Sequence, residues 1–501
     1  MLAGGPGAQG GGGAAPYEVD ILDTGAAGGA AIRGGVLRVG GYLAGVGLGV
    51  VSAAILIRYL GPADFGRYMT VISLVTIVAG LSEAGMTNIG VREYSVLARG
   101  ESGRVLQNLL GLRLVVTVVG VGAAVGFSLV AGYDRTMVLG SAIAGAGVLL
   151  AVIQATYAIP LISRLRLGWV TALELLRQGV SVALIVALVL FGASLLPLFA
   201  VPIAAGAVAL ALTLPLVRGL LPFAPAFDSG RWRELLRLTL PFAAATAVGV
   251  VYAYLALVLL SLVSTEDETG YFGAAFRIFV VLGGISGPLV SSAFPVLARA
   301  ARDDRERLRY AVQKLWEIAL LLGAGLAVCT VVGAPAAIRL IAGTGFEPSV
   351  DILRLQAGAL LGAYLVATWG FTLLSLGRYL GILAANSVAL VVSAVTTLTL
   401  APELGGRGAA LATLLGETSL AVAYGLVLIR ARPDLRPSLG ILPRAGLASG
   451  AAASVLLLPG TGAFVDLVAA VVVYAIAAVV LRAIPREVRE ALAPWARRGS
   501  S

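Results

Sequence analysis

Apolar runs long enough to cross a bilayer recur about fourteen times between Val36 and Leu481, a pattern that leaves a chain little alternative to a membrane. A helix needs ~20 apolar residues to cross a hydrocarbon core of ~30 Å. No water reaches the backbone at that depth, so the spanning segments must be helices or a closed barrel. These runs are continuously apolar, not alternating, which selects helices. The expected spans are 36–58, 67–90, 108–131, 136–159, 171–193, 195–217, 238–263, 270–296, 315–335, 353–376, 380–400, 407–429, 441–459 and 464–483. Charged residues make up only 12% of the chain, about half the ~25% of soluble domains. The expected fold class is therefore an all-α polytopic membrane protein.

Arginine and lysine fix the orientation. The side that holds the N-terminus carries 28 of them and the opposite side 6, while Arg113 and Arg277 fall inside helices. Positive residues are retained in the cytoplasm, so both termini are expected there, in the plasma membrane. A miscounted helix would invert the pattern downstream of it, and no inversion occurs. One-sided retention also accounts for the net charge of +10 without any nucleic-acid partner. The chain has no histidine and one cysteine, Cys329, so an intrachain disulfide is impossible and a His/Cys metal site is not expected. Residues 1–35, Gly/Ala-rich and then acidic at Glu18, Asp20 and Asp23, read as a disordered cytoplasmic tail and not as a signal peptide. Residues 485–501 read as a second cytoplasmic tail. The loops on the arginine-poor side are short; one carries Glu266, Asp267 and Glu268, either a solvated acidic turn or a vestibule that attracts cations.

The chain repeats itself weakly. Leu60-Gly-Pro-Ala-Asp-Phe-Gly66-Arg-Tyr68 opens the second helix, and Glu268-Thr-Gly270-Tyr-Phe272 opens the eighth at the same side. Leu161-Ile-Ser163-Arg-Leu-Arg166 aligns with Leu373-Leu-Ser375-Leu-Gly-Arg378, which sets Glu174 opposite Asn386. Symmetry of this kind marks transporters built of two lobes with a path between them. The lobes would be residues 36–220 and 235–430, six helices each in parallel register, and 439–484 an added helix pair.

At these residues the chain resembles the polysaccharide transporter, or O-antigen flippase, branch of the multidrug/oligosaccharidyl-lipid/polysaccharide exporter superfamily. The resemblance rests on Gly61-Pro62-Ala-Asp64-Phe65-Gly66-Arg-Tyr68, Glu83-Ala-Gly85 and Arg92-Glu93. It extends to Gly377-Arg378, Asn386, Pro402 and Gly405-Gly-Arg-Gly408-Ala-Ala-Leu-Ala-Thr413, covering residues 36–430. It implies a V of two six-helix lobes that moves lipid-linked (polyprenyl-pyrophosphate) oligosaccharide across the membrane by alternating access, for cell-surface polysaccharide synthesis. No enzyme activity is implied, and the chain is expected to act as a monomer beside a polysaccharide polymerase and glycosyltransferases. An ion-coupled multidrug exporter of the same superfamily is the alternative, with a membrane glycosyltransferase or ligase behind it. The short loops on the arginine-poor side argue against the last.

Intramembrane charges cost ~2.5–3.5 kcal/mol each on insertion scales, which makes each one a candidate site. Glu417, ten residues into the twelfth helix, reads as a proton-coupling carboxylate or as a buried acid bonded to a neighbouring helix. Glu83 either lines the cytoplasmic end of a cavity or pairs with Arg92 or Arg113. Glu174 and Arg177 share a helix face three residues apart, so a local ion pair competes with a pathway role. Arg277 and Arg113 suit a pyrophosphate, whose oxygens a guanidinium grips in bidentate fashion; snorkelling to the headgroups is the competing reading. Asn386 joins the candidates through the repeat. Gly283, Gly284, Gly287 and Pro288 should kink the eighth helix, with Gly287 and Pro288 the hinge. Gly41, Gly45 and Gly49 offer a face for close helix packing. No Walker lysine follows the glycines of helix one, so energy would come from the substrate's gradient or from H+ or Na+, with no bound cofactor.

Overall fold

The computed structural model of this chain describes residues 27–97, 99–219, 224–457 and 462–485. Most of the expected N-terminal tail (1–26) and nearly all of the C-terminal one (486–501) lie outside the described residues, and helix begins at Ala27. Among the described residues, thirteen helical stretches are long and apolar enough to cross a membrane. The first, Gly40–Val96, has 57 residues, which at ~1.5 Å each far exceeds a ~30 Å core. Gly61, at φ 68 and ψ 179, breaks it. A residue with a side chain is strained there, and Pro62 then supplies the fixed φ that starts the next helix. The stretch therefore holds two spanning helices, α1 (40–60) and α2 (62–83), which makes fourteen candidate spans among the described residues.

The others are α3 (Arg99–Val130), α4 (Arg135–Tyr157), α5 (Leu167–Leu190), α6 (Leu195–Leu216), α7 (Ser229–Val263), α8 (Glu266–Gly284), α9 (Arg305–Ile341), α10 (Ser349–Ser375), α11 (Tyr379–Leu404), α12 (Gly406–Ala431), α13 (Leu442–Ala453) and α14 (Ala463–Val480). Within residues 36–220, α1 and α2 pack on α3, α4 and α5, and α6 on α4 and α5; within 235–430, α10 packs on α9 and α12, and α11 on α7 and α12. These two groups, the expected lobes, also meet through α2 and α8, and α13–α14 lie on α9. The linker and the start of α7 lie against α3: Ala226 N–H donates to the Gln107 carbonyl at 3.0 Å, and Trp232 Nε1 to the Asn108 carbonyl at 3.0 Å.

The cores reveal the shape. At the arginine-poor end one cluster runs through both lobes, with Ile57, Phe65 and Phe199 of the first and Phe272, Phe346 and Leu353 of the second all buried. Burying each such side chain contributes ~1.5–3 kcal/mol. Towards the arginine-rich end the lobes have separate cores, Leu109, Ile159, Leu161 and Val217 in one and Leu297, Leu308, Leu373 and Leu428 in the other. The lobes share a core at one end and have separate cores at the other, where single contacts such as Gly85 against Phe242 still join them.

The repeat extends to the backbone. Arg166 N–H bonds to the Leu161 carbonyl at 2.8 Å, and Arg378 N–H to the Leu373 carbonyl at 2.9 Å. The residue before each arginine is left-handed, Leu165 at φ 55 and Gly377 at φ 67. Such a turn closes a helix by satisfying its last carbonyls, and glycine suits it because no Cβ clashes. The second copy has that glycine; the first holds a leucine under strain. Glu174 and Asn386 are each the eighth residue of the helix that follows.

Candidate functional site

The seal at the arginine-poor end is built from the two repeated helix starts. Gly66 of α2 and Gly270 of α8 bring backbone against backbone: a Cβ on Gly66 would overlap the Glu266 carbonyl, and one on Gly270 the Pro62 carbonyl. Arg67 ion-pairs with Glu266 at 2.8 Å across the lobes and with Asp64 at 3.2 Å within its own helix. Arg58 Nη2 donates to the Leu340 carbonyl at 2.6 Å, at the end of α9, and the Tyr133 and Ser261 hydroxyls are 2.6 Å apart. Glu266, Asp267 and Glu268 form the first turn of α8, where carboxylates offset the helix dipole. Glu268 also accepts from Gly406 N–H at 2.7 Å. Two of the three acids are thus committed to contacts within the protein.

Arg277 is where the lobes meet. It is half-buried, three turns into α8, within electrostatic range of Tyr68 on α2 and Tyr254 on α7. Its Nε is buried with no hydrogen-bond partner, and no carboxylate pairs with it among the described residues. A guanidinium with no carboxylate partner can chemically bind an anion.

The other intramembrane cation is arranged differently. Arg113 on α3 is 1% exposed and ion-pairs with Glu83 at the end of α2. Its Nη1 donates to Thr156 at 3.1 Å and to Thr87 at 3.4 Å. Ala84 at φ 21 and Gly85 at φ 79 break the chain immediately after Glu83. This lets Glu83 accept from Thr87 N–H at 3.3 Å, at the start of the short helix Met86–Val96. Of the two readings for Glu83, the geometry matches the pairing with Arg113, and that guanidinium is covered by protein. Glu174 and Arg177 pair through two bonds of 2.6 and 3.1 Å, and Gln178 donates to the same carboxylate at 2.9 Å.

The second lobe holds its own polar cluster. Tyr252 on α7 donates its hydroxyl to Glu417 on α12 at 3.0 Å. Asn386 on α11, 4% exposed, donates to the Ala245 carbonyl at 2.8 Å and accepts from Tyr424 at 2.9 Å. Glu417 therefore has the neighbouring-helix bond foreseen for it, while remaining the one intramembrane carboxylate of this cluster without a cation partner among the described residues.

Helix α8 breaks where glycine and proline suggest. It ends at Gly284, restarts as Ser286–Ser291 and continues as Phe294–Asp303. Pro288 lacks the N–H that would bond to Gly284, and the freed carbonyls find hydroxyls instead. Ser286 donates to Gly283 at 2.7 Å, Tyr364 to Leu282 at 3.2 Å, and Tyr42 of α1 to Gly284 at 3.1 Å.

The sequence-derived candidates thus fall into separate groups: Glu83 with Arg113, Glu174 with Arg177, Asn386 beside Glu417, and Arg277 alone between the lobes. Sequence reasoning missed Tyr42, Thr87, Thr156, Tyr252 and Tyr424. Thr156, Tyr252 and Tyr424 were signalled by a hydroxyl in an otherwise apolar helix, which needs a partner when buried.

Residues 32–301 match the profile of the family described as polysaccharide biosynthesis protein. No curated protein sequence matches significantly. Among solved structures, the lipid II flippase MurJ in an inward closed conformation aligns over 89% of this chain and 99% of its own, with 14% identity and a TM-score of 0.74. An inward-facing multidrug resistance MATE family transporter of the MOP superfamily aligns over 78% of this chain and 96% of its own, with 14% identity and a TM-score of 0.63. A eukaryotic MATE transporter, AtDTX14, aligns over 81% and 99%, with 14% identity and a TM-score of 0.57. At such identity the likeness concerns the fold.

Proposed function

The chain belongs to the polysaccharide biosynthesis protein family, and from that premise we propose that it is a secondary transporter that flips lipid-linked oligosaccharide across the plasma membrane by alternating access. Family and fold together support a multi-pass membrane flippase or transporter. The finer reading, a polyprenyl-pyrophosphate carrier bearing sugars, is carried by Arg277. A pyrophosphate crossing between lobes needs a cation not already neutralised, and this guanidinium stands at their junction. Bidentate contact with phosphate oxygens would offset the cost of bringing that anion out of water.

The arginine-rich side is read as cytoplasmic, so the end with separate lobe cores faces the compartment where the sugars are attached. The end with the shared core closes the route to the outside. Closing the rich end while the seal parts would deliver the headgroup across. Glu417, an ionisable group in the packed second lobe, is the candidate for coupling to H+ or Na+. Gly287 and Pro288, at the break of α8, are the candidate hinge.

The test is reconstitution of the purified protein in liposomes with a labelled polyprenyl-pyrophosphate oligosaccharide. Exchange between leaflets above the rate of empty vesicles is expected. Exchange no faster than theirs, with the protein monodisperse and correctly inserted, would overturn the proposal.

A further inference from the structure

A cavity of about 540 Å³ lies inside the first lobe, walled by α1, the turn after α2, α4 and α5. That volume is within the ~300–1,000 Å³ range of small-molecule pockets and has room for one or two sugar rings. Its polar lining is Tyr42, Thr87, Gln154, Thr171, Glu174 and Gln178. No arginine or lysine lines it. The two guanidiniums behind the wall are committed, Arg177 to Glu174 and Arg113 to Glu83. A phosphate would find no cation here, and an organic cation would meet a carboxylate already neutralised.

What the wall offers is the chemistry of hydroxyl recognition. Amides both donate and accept, hydroxyls do the same, a carboxylate accepts, and a phenol ring presents a flat apolar face. Gln178 sharpens the point. Its Nε2 donates to Glu174 at 2.9 Å, which fixes the amide orientation, while its Oε1 is buried and has no donor. Gly45 stands opposite that oxygen, so close that an added Cβ would lie 2.8 Å away, and α1 supplies no side chain to satisfy it. A buried acceptor left without a donor is costly, and a ligand hydroxyl would relieve it.

We propose that this cavity is the glycan subsite, which takes a neutral sugar unit of the lipid-linked oligosaccharide while its phosphates lie elsewhere. This rests on the flippase reading and adds to it the group that selects cargo. Tyr42 ties the subsite to the lobes, because the hydroxyl that lines the cavity also donates to Gly284 on α8. A sugar oxygen that accepts the Tyr42 proton competes with that lobe-to-lobe bond, so occupancy and lobe contact are thermodynamically linked.

The experiment compares two lipids in the same liposomes: the lipid-linked oligosaccharide pool extracted from the native membranes, and bare polyprenyl pyrophosphate. Two variants are used, Gln178→Ala, which removes the amide, and Ala155→Phe, which fills the cavity with an apolar ring. The ratio of glycan-lipid to bare-lipid exchange should fall roughly tenfold in both, the loss expected when a site built for hydroxyls no longer meets them. A ratio unchanged from wild type in both monodisperse variants overturns the subsite and leaves the flippase standing. A wild-type protein that moves neither lipid overturns the flippase reading itself, and the subsite with it.

Discussion

The Tyr42 hydroxyl donates to the Gly284 carbonyl at 3.1 Å, the acceptor for which Pro288, four residues on, has no N–H. A defect in a helix of one lobe is thus repaired by a side chain of the other. Tyr42→Phe keeps the ring and removes the donor, at a cost of about 1 kcal/mol. Amide hydrogen exchange of residues 285–292 should accelerate in this variant while the core of α10 is unaffected. Identical exchange in both proteins would show that the bond does not hold the break.

Arg277→Ala should slow glycan-lipid exchange roughly tenfold or more, the scale of a lost charge-assisted contact. Arg277→Lys should recover part of it, since an ammonium keeps the charge but not the bidentate fork. Leaflet-exchange rates of the three proteins decide this. A lysine variant no better than alanine would point to shape, not charge, at that position.

Glu417→Gln retains an oxygen that can accept from Tyr252, so the cluster of α7, α11 and α12 should stay folded. What disappears is the exchangeable proton. If Glu417 couples transport to protons, the variant's exchange rate should no longer respond to an imposed pH gradient. A response as large as that of wild type would remove Glu417 from coupling.

Glu347, in the loop between α9 and α10, offers a smaller pH signature. Its own N–H and that of Gly345, 3.1 Å from the carboxylate, hold its pKa below the usual carboxylate range. A lowered folded-state value means that its contribution to stability is present above the ordinary value and fades as pH falls through the lowered one. The group is exposed, so the effect is small and sensitive to salt. Glu347→Gln should slightly flatten the loss of thermal stability on acidification, measured by melting between neutral and acid pH.

Much of the architecture was legible because bilayer thickness imposes a length on every span. Each of the fourteen expected runs overlaps an observed helix, and the narrow gap expected between 193 and 195 proved real, with residues 191–194 non-helical before Leu195. The helix ends were less legible. Helix α9 extends to 37 residues because its charged start, Arg305 to Lys314, stays helical outside the lipid, where an apolar run no longer marks the helix. The stretch read as one helix over 270–296 is a helix, a break and a restart; the glycines and Pro288 marked the break but not which hydroxyls fill it. The pairing of Glu83 with Arg113 is contact between different helices, one of two partners the sequence allowed. Only Arg277 stood out equally in sequence and space, as a cation within apolar surroundings.

Gly66 and Gly270 carry one more implication. A seal closed by bare backbone tolerates no thickening, so a single methyl group would act as a doorstop. Gly270→Ala should hold the helix starts apart and enrich the opposite half of the proposed cycle, read as faster maleimide labelling of a cysteine at Met69 in a Cys329→Ala background. Such a wedged protein would give crystallisation and cryo-microscopy a handle on the shape this chain adopts when its far door stands ajar.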